Sequence, residues 1–115
     1  SAARLTEQAK AYIEEHYKES DLSADSLCRC LNVSAAYFST IFKREVGMSF
    51  VAYLTKIRLE HALELLRTTE DKTYIIASRV GYMEPNYFSY VFKKQYGISP
   101  SKYRAEMSVK EKNED

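Results

Sequence analysis

"AYFSTIFKREVG", Ala36–Gly47, and "NYFSYVFKKQYG", Asn86–Gly97, repeat one pattern fifty residues apart. Each copy runs Tyr-Phe-Ser, an aliphatic residue, a second Phe, two basic residues and a closing glycine. At about 100° per residue, Phe38, Ile41 and Phe42 share one helix face, as do Phe88, Val91 and Phe92, so these six read as core. Gly47 and Gly97 stop the two helices. Repetition of a buried face is also the mark of a helical solenoid, but such stacks need three or more units and only two are written here.

The repeat extends upstream. "LCRCLNVSAAYF", Leu27–Phe38, aligns with "IASRVGYMEPNYF", Ile76–Phe88, once the second copy is allowed a turn one residue longer. Each reads as a short helix, a tight turn on Asn or Gly, and a second helix. That is the layout of a helix-turn-helix, whose second helix enters the DNA major groove while the first braces it across the backbone.

Working outward, every segment reads as helix. Leu5–Glu19 is amphipathic, with Ala9, Tyr12, Ile13, His16 and Tyr17 at helical spacing. Ser23 caps a short helix ending near Leu31, Ser34 caps Ala35–Val46, and Ser49 caps a long helix to about Thr68. A short helix from about Tyr74 to Val80 follows, then one with Pro85 at its first position, then a last one opened by Ser99 and Pro100 and ending near Met107. The tail, "SVKEKNED", has no apolar face and is expected to fray. In the long helix, Phe50, Tyr53, Leu54, Ile57, His61 and Leu65 fall on one side, with Val51, Leu59, Ala62, Leu63 and Leu66 roughly opposite. A helix apolar on two sides asks for cover on both, whereas Glu64 has no place in the pattern. The expected fold is all-α, with seven helices forming two helix-turn-helix subdomains joined by a long linker helix. As a single domain over 1–115 it divides into a first unit at 5–47, a linker at 49–68, a second unit at 73–107 and a frayed tail at 108–115.

Composition agrees with a folded helical chain. Apolar residues make up 45%, with ten Tyr, five Phe and only three Gly and two Pro in 115 residues. No apolar run reaches membrane-spanning length and no leader opens the chain, so a cytoplasmic location without membrane association is expected. Cys28 and Cys30 diverge on one helix and cannot bridge each other, and both read as small buried side chains. With only His16 and His61 besides, no metal site or cofactor is expected. No nucleophile-base pairing appears, which argues against an enzyme and leaves no catalytic residue to name.

The charges are unevenly placed. Ser34–Arg58 and Glu84–Arg104 each carry +3, leaving −5 on the rest of a chain whose net charge is +1. Positive charge on the repeated units points to a polyanion. On the outer faces, Ala36, Ser39 and Thr40 match Asn86, Ser89 and Tyr90 place for place, and these six are the candidate base contacts. Asn reads adenine bidentately, while Ser, Thr and the Ala methyl make weaker or apolar contacts. Lys43, Arg44, Lys93 and Lys94 lie where phosphates would run, with Ser34, Tyr37 and Tyr87 completing the candidate backbone contacts. A helical protein-interaction module is the alternative, since Tyr-rich, Arg-bearing surfaces also suit protein partners.

"YFSTIFKREVGMSFVAYLTKIRLEHALELL", Tyr37–Leu66, and "IASRVGYMEPNYFSYVFKKQYGISPSKYR", Ile76–Arg104, resemble the DNA-binding domain of AraC/XylS-type transcription regulators. The likeness spans Leu5 to Met107, and "AYIEEHYKESDLS", Ala11–Ser23, is most similar to YesN-type response regulators. The resemblance implies double-stranded operator DNA as partner, recognition helices in successive major-groove segments, and an N-terminal receiver or sensor domain in the parent protein. RNA polymerase is a further implied partner. Family members often carry Arg or Lys where Thr40 and Tyr90 stand, an acidic residue at Ile75, Ala at Cys28 and Asp at Glu84. These departures bear on the target sequence and not on the fold.

Overall fold

The structure of the chain, a computed structural model, describes residues 1–114. Among the described residues there are seven helices and no strand. They are α1 (Ala2–His16), α2 (Ala24–Leu31), α3 (Ala35–Val46), α4 (Phe50–Thr68), α5 (Thr73–Arg79), α6 (Pro85–Tyr96) and α7 (Pro100–Glu114). They form two compact units, Ser1–Arg58 and a second beginning at Leu59, with the boundary inside the continuous helix α4.

The first unit is built from α1, α2, α3 and the opening of α4. Ser1 caps α1 by accepting from the Arg4 amide, so the helix starts earlier than Leu5. It ends at His16, short of Glu19, where the buried Arg58 guanidinium takes over the carbonyls of Tyr17 and Glu19 at 2.9 and 2.8 Å. In α2, Ser23 and Ser26 form a reciprocal capping box. Asn32 then takes the left-handed conformation, with φ 57°, and the Val33 amide returns to the Cys28 carbonyl at 3.0 Å. Asn is one of the few side chains that tolerates this region, so the turn can be this tight without glycine. The core is aromatic: the rings of Phe38, Phe42, Phe50 and Tyr53 are in mutual edge and tilted contact, with Leu5, Ala9, Ile13 and Leu27 buried around them.

The second unit repeats this plan with the latter part of α4 in the place of α1. Ala9 and Ile13 are buried one turn apart in α1, and Ala62 and Leu66 are buried at the same spacing in α4. Gly81, with φ 104°, stands for Asn32, and the Tyr82 amide returns to the Ala77 carbonyl at 2.8 Å as Val33 does to Cys28. Phe88, Phe92, Tyr96 and Tyr103 continue the ring contacts. Ser99 caps α7 through the Lys102 amide as Ser49 caps α4 through Ala52.

Three further sequence expectations change, and Glu64 receives an explanation. Residues 108–114 are helical and not frayed; the stretch holds no glycine or proline, and Lys110, Glu111 and Lys112 are good helix formers that need no apolar face to continue a helix. Position 115 lies outside the described residues. Val51 is 69% exposed, because in the opening of α4 the buried stripe is Phe50, Leu54 and Arg58, and the opposite stripe begins only at Leu59. Cys30 is exposed and only Cys28 is buried; both are free thiols. Glu64, unplaced in the apolar pattern, lies exposed and pairs with Arg67 one turn on.

Candidate nucleic-acid interface

The stretch that positions α3 is short and local. Ser34 closes the turn after α2 by accepting from the Tyr37 amide at 3.2 Å, and Gly47, with φ 86°, releases the chain at the other end. Between these stops Phe38, Ile41 and Phe42 are buried, which fixes the rotation of the helix about its axis. Thr40 then sits about opposite the midpoint of Phe38 and Phe42, at the centre of the outward face, flanked by Ala36, Ser39, Lys43 and Arg44. All five are exposed, and Ser39, Thr40, Lys43 and Arg44 line one shallow depression.

Helix α6 is held in the same way. Pro85 occupies its first turn and Gly97, with φ 83°, ends it, while Phe88 and Phe92 are fully buried. Tyr90 takes the central outward place that Thr40 holds in α3. Asn86, Tyr87, Lys93 and Lys94 are exposed around it, and Ser89 is partly covered. The helix therefore presents an amide, two phenols and two ammonium groups on one face.

Among the described residues no carboxylate pairs with Lys43, Lys93 or Lys94; Arg44 has Glu45 at 3.6 Å. Glu84 is the N-cap of α6 but makes no side-chain capping hydrogen bond, in contrast to Ser34 of α3. Its carboxylate is exposed.

The structure thus brings Ala36, Ser39, Thr40, Lys43 and Arg44 together on α3, and Asn86, Tyr87, Ser89, Tyr90, Lys93 and Lys94 on α6. Tyr37 is half exposed on the flank of α3, and Ser34 faces the start of that helix with its hydroxyl already engaged in the cap. Half of the basic residues that give the repeats their charge lie outside these faces: Lys56 and Arg58 on α4, and Lys102 and Arg104 on α7. Arg58 is buried, and Arg104 donates to the carbonyls of Leu66, Thr69 and Asp71 at 3.0, 3.1 and 2.6 Å. Charge counting along the sequence could not tell these structural guanidinium groups from outward ones. The residue that sequence reading passed over is Met83. It is the additional residue in the second turn, it precedes the N-cap of α6, and at 82% exposure it is the most exposed of the large apolar side chains described. The one signal for it was the longer turn.

No group of three or more His, Cys, Asp or Glu side chains able to hold a metal occurs among the described residues, and no described helix is long and apolar enough to cross a membrane. Burial, with Asp25 adding to it, pushes the Cys28 thiol up, so this cysteine is held in its neutral form.

A family model for the helix-turn-helix domain matches residues 27–106. Among solved structures, the C-terminal domain of AraT, a response regulator from Geobacillus stearothermophilus, is 47% identical with a TM-score of 0.87, covering 89% of this chain and 84% of that one. The DNA-binding domain of AdpA, a global transcriptional factor solved in complex with a target DNA, is 26% identical with a TM-score of 0.86, covering 91% of this chain and 94% of that one. Among curated proteins, the uncharacterized HTH-type transcriptional regulator YisR of Bacillus subtilis is 37% identical over 93% of this chain and 37% of its own length. The chain spans less than two-fifths of the length of such curated relatives. With its two helix-turn-helix units, its matched outward faces and these similarities, the chain belongs to the helix-turn-helix family, as the DNA-binding domain of an AraC/XylS-type transcription regulator.

Proposed function

We propose that the chain binds double-stranded DNA sequence-specifically, with α3 and α6 as recognition helices in successive major-groove segments, and that it serves as the output domain of a longer bacterial regulator. The observation that carries the reading is the place-for-place match of the outward faces. Thr40 and Tyr90 stand at their centres, with Ala36 and Asn86, and Ser39 and Ser89, toward the N-terminal ends. Lys43 with Arg44, and Lys93 with Lys94, stand toward the C-terminal ends. Base-reading groups belong at the first of these places and phosphate-binding cations at the second. Tyr37 and Tyr87, exposed on the flanks, are suited to phosphate oxygens through their hydroxyls, as are the amides near Ser34. The target DNA bound to AdpA supports the same partner here. The response-regulator origin of the AraT domain supports a receiver or sensor domain preceding this one in the parent protein.

Two units on one chain make the second engagement intramolecular, so modest contacts from each sum without a second association penalty. Mobility-shift titrations of random and selected duplexes at low and moderate salt test the reading. A salt-dependent shift and enrichment of a two-part site are expected. Binding that ignores salt, or no enrichment after repeated selection, would remove it.

A further inference from the structure

The outward face of α6 is more apolar than its counterpart on α3: two tyrosine rings adjoin on it, and an exposed methionine stands in the turn that leads into it. Tyr90 is 61% exposed, Tyr87 55% and Met83 82%. Tyr90 also has a neighbouring ring. Its ring lies 6.5 Å from that of Tyr87, which lies 5.9 Å from the buried Tyr82, which in turn lies 5.7 Å from the core ring of Phe88. A row of ring contacts therefore runs from the core of the unit to the centre of its outward face, ending where α3 carries only Thr40.

We propose that the second unit selects thymine by its C5 methyl group, with the Tyr90 ring and the Met83 side chain as the contacting groups and Tyr87 as the positioning residue. This rests on the DNA-binding reading above. In the major groove the base pairs present hydrogen-bond donors and acceptors and a single apolar group, the thymine methyl. A methionine thioether is a weak acceptor with no proton to give, so pressed against any other base edge it strands a polar group without a partner. Against a methyl the same side chain gains by burial. The flanking Lys93 and Lys94 favour a polyanion as the occupant over an apolar protein surface. Asn86, one helical turn before Tyr90, adds an amide able to take the adenine of an adjacent pair.

The test uses a duplex site recovered by selection from a random pool. Each thymine is then replaced singly by deoxyuridine, which keeps the pairing edge and O4 and lacks only the methyl. At one or two positions in the half of the site bound by α6, the wild-type chain is expected to bind about threefold to fourfold more weakly, with no such effect in the other half. Tyr90→Ala should bind thymine and uracil duplexes alike, Met83→Ala should reduce the difference, and Tyr90→Phe should retain it. Both side chains are exposed, so the thermal melt of all three variants should stay unchanged and report intact folding. Wild-type binding that is tight and indifferent to uracil overturns methyl selection and leaves DNA binding standing. A thymine preference that persists in both Tyr90→Ala and Met83→Ala overturns it too, and assigns the patch to another occupant such as a protein. Failure to bind any duplex at low salt overturns this inference together with the reading on which it rests.

Discussion

Arg104 does in the second unit what Arg58 does in the first. Each guanidinium reaches back to carbonyls at and just beyond the end of the first helix of its own unit: Tyr17 and Glu19 for Arg58, Leu66, Thr69 and Asp71 for Arg104. The last carbonyls of a helix have no partner within it, and a planar fork of N–H donors satisfies two or three of them at once. Arg104→Ala should therefore destabilise the chain by about 2 to 4 kcal/mol, since hydrogen bonds from a charged donor are lost and partly covered carbonyls are left without one. Arg104→Lys should recover only part of this. Chemical denaturation of the two variants checks it, and equal stability of Arg104→Ala and the parent chain would dismiss the clamp.

The N-terminus of α6 is less well closed than that of α3. Glu84 sits at the N-cap without a capping hydrogen bond, where Ser34 accepts one from Tyr37. Glu84→Ser should raise stability by about 0.5 to 1 kcal/mol by supplying the missing acceptor. It should also tighten DNA binding by removing a negative charge that repels a polyanion. A melting temperature that falls, with weaker binding, would show that the carboxylate already serves the helix end.

Lys93 is exposed and, among the described residues, unpaired. Lys93→Ala should weaken binding to all duplexes to the same degree and lower the slope of log affinity against log salt by about one unit. The measurement is a salt titration on specific and random duplexes. An unchanged slope would place this side chain off the backbone.

The two cysteines should separate chemically. Cys30 is exposed, whereas Cys28 is buried and held neutral by that burial and by Asp25. Since the thiolate is the reacting form, a thiol reagent at neutral pH should label the native chain once, at Cys30, and reach Cys28 only on unfolding. Peptide mapping after timed labelling distinguishes the sites. Rapid modification of Cys28 under native conditions would mean that α2 opens far more readily than its packing implies.

Most of the helix ends that a capping serine or a stopping glycine marks were legible in the sequence, because the signal is local. Ser34 and Ser49 cap where they were read to cap, the last helix opens at Ser99 and Pro100 as expected, and Gly47 and Gly97 stop α3 and α6 in the left-handed conformation. The Ser1 cap of α1 was not read, nor were the far ends of α1 and α7, which carry no such signal. The rotation of α3 and α6 was legible too, since two phenylalanines one turn apart leave little choice of buried face. What depended on tertiary partners was not. Arg58 and Arg104 look like any other basic residues until the carbonyls they meet are in place. Val51 belongs to an apolar sequence pattern, but cover on that side of α4 starts later in the helix. Met83 was hidden by alignment: an additional residue in a turn has no counterpart to be compared with, so its exposure had to be seen.

Helix α7 begins as α4 does and then departs from it. Ser99 and Tyr103 correspond to Ser49 and Tyr53, so α7 opens as a second copy of α4. Carried on at the same spacing, the places of the buried Leu59 and Ala62 fall to Val109, 59% exposed, and Lys112. Over the described residues α7 therefore lacks the apolar stripe by which α4 seats its second helix pair. Leucine at 109 and alanine at 112 would supply one, and make α7 a splice point onto which another helix-turn-helix pair could be grafted.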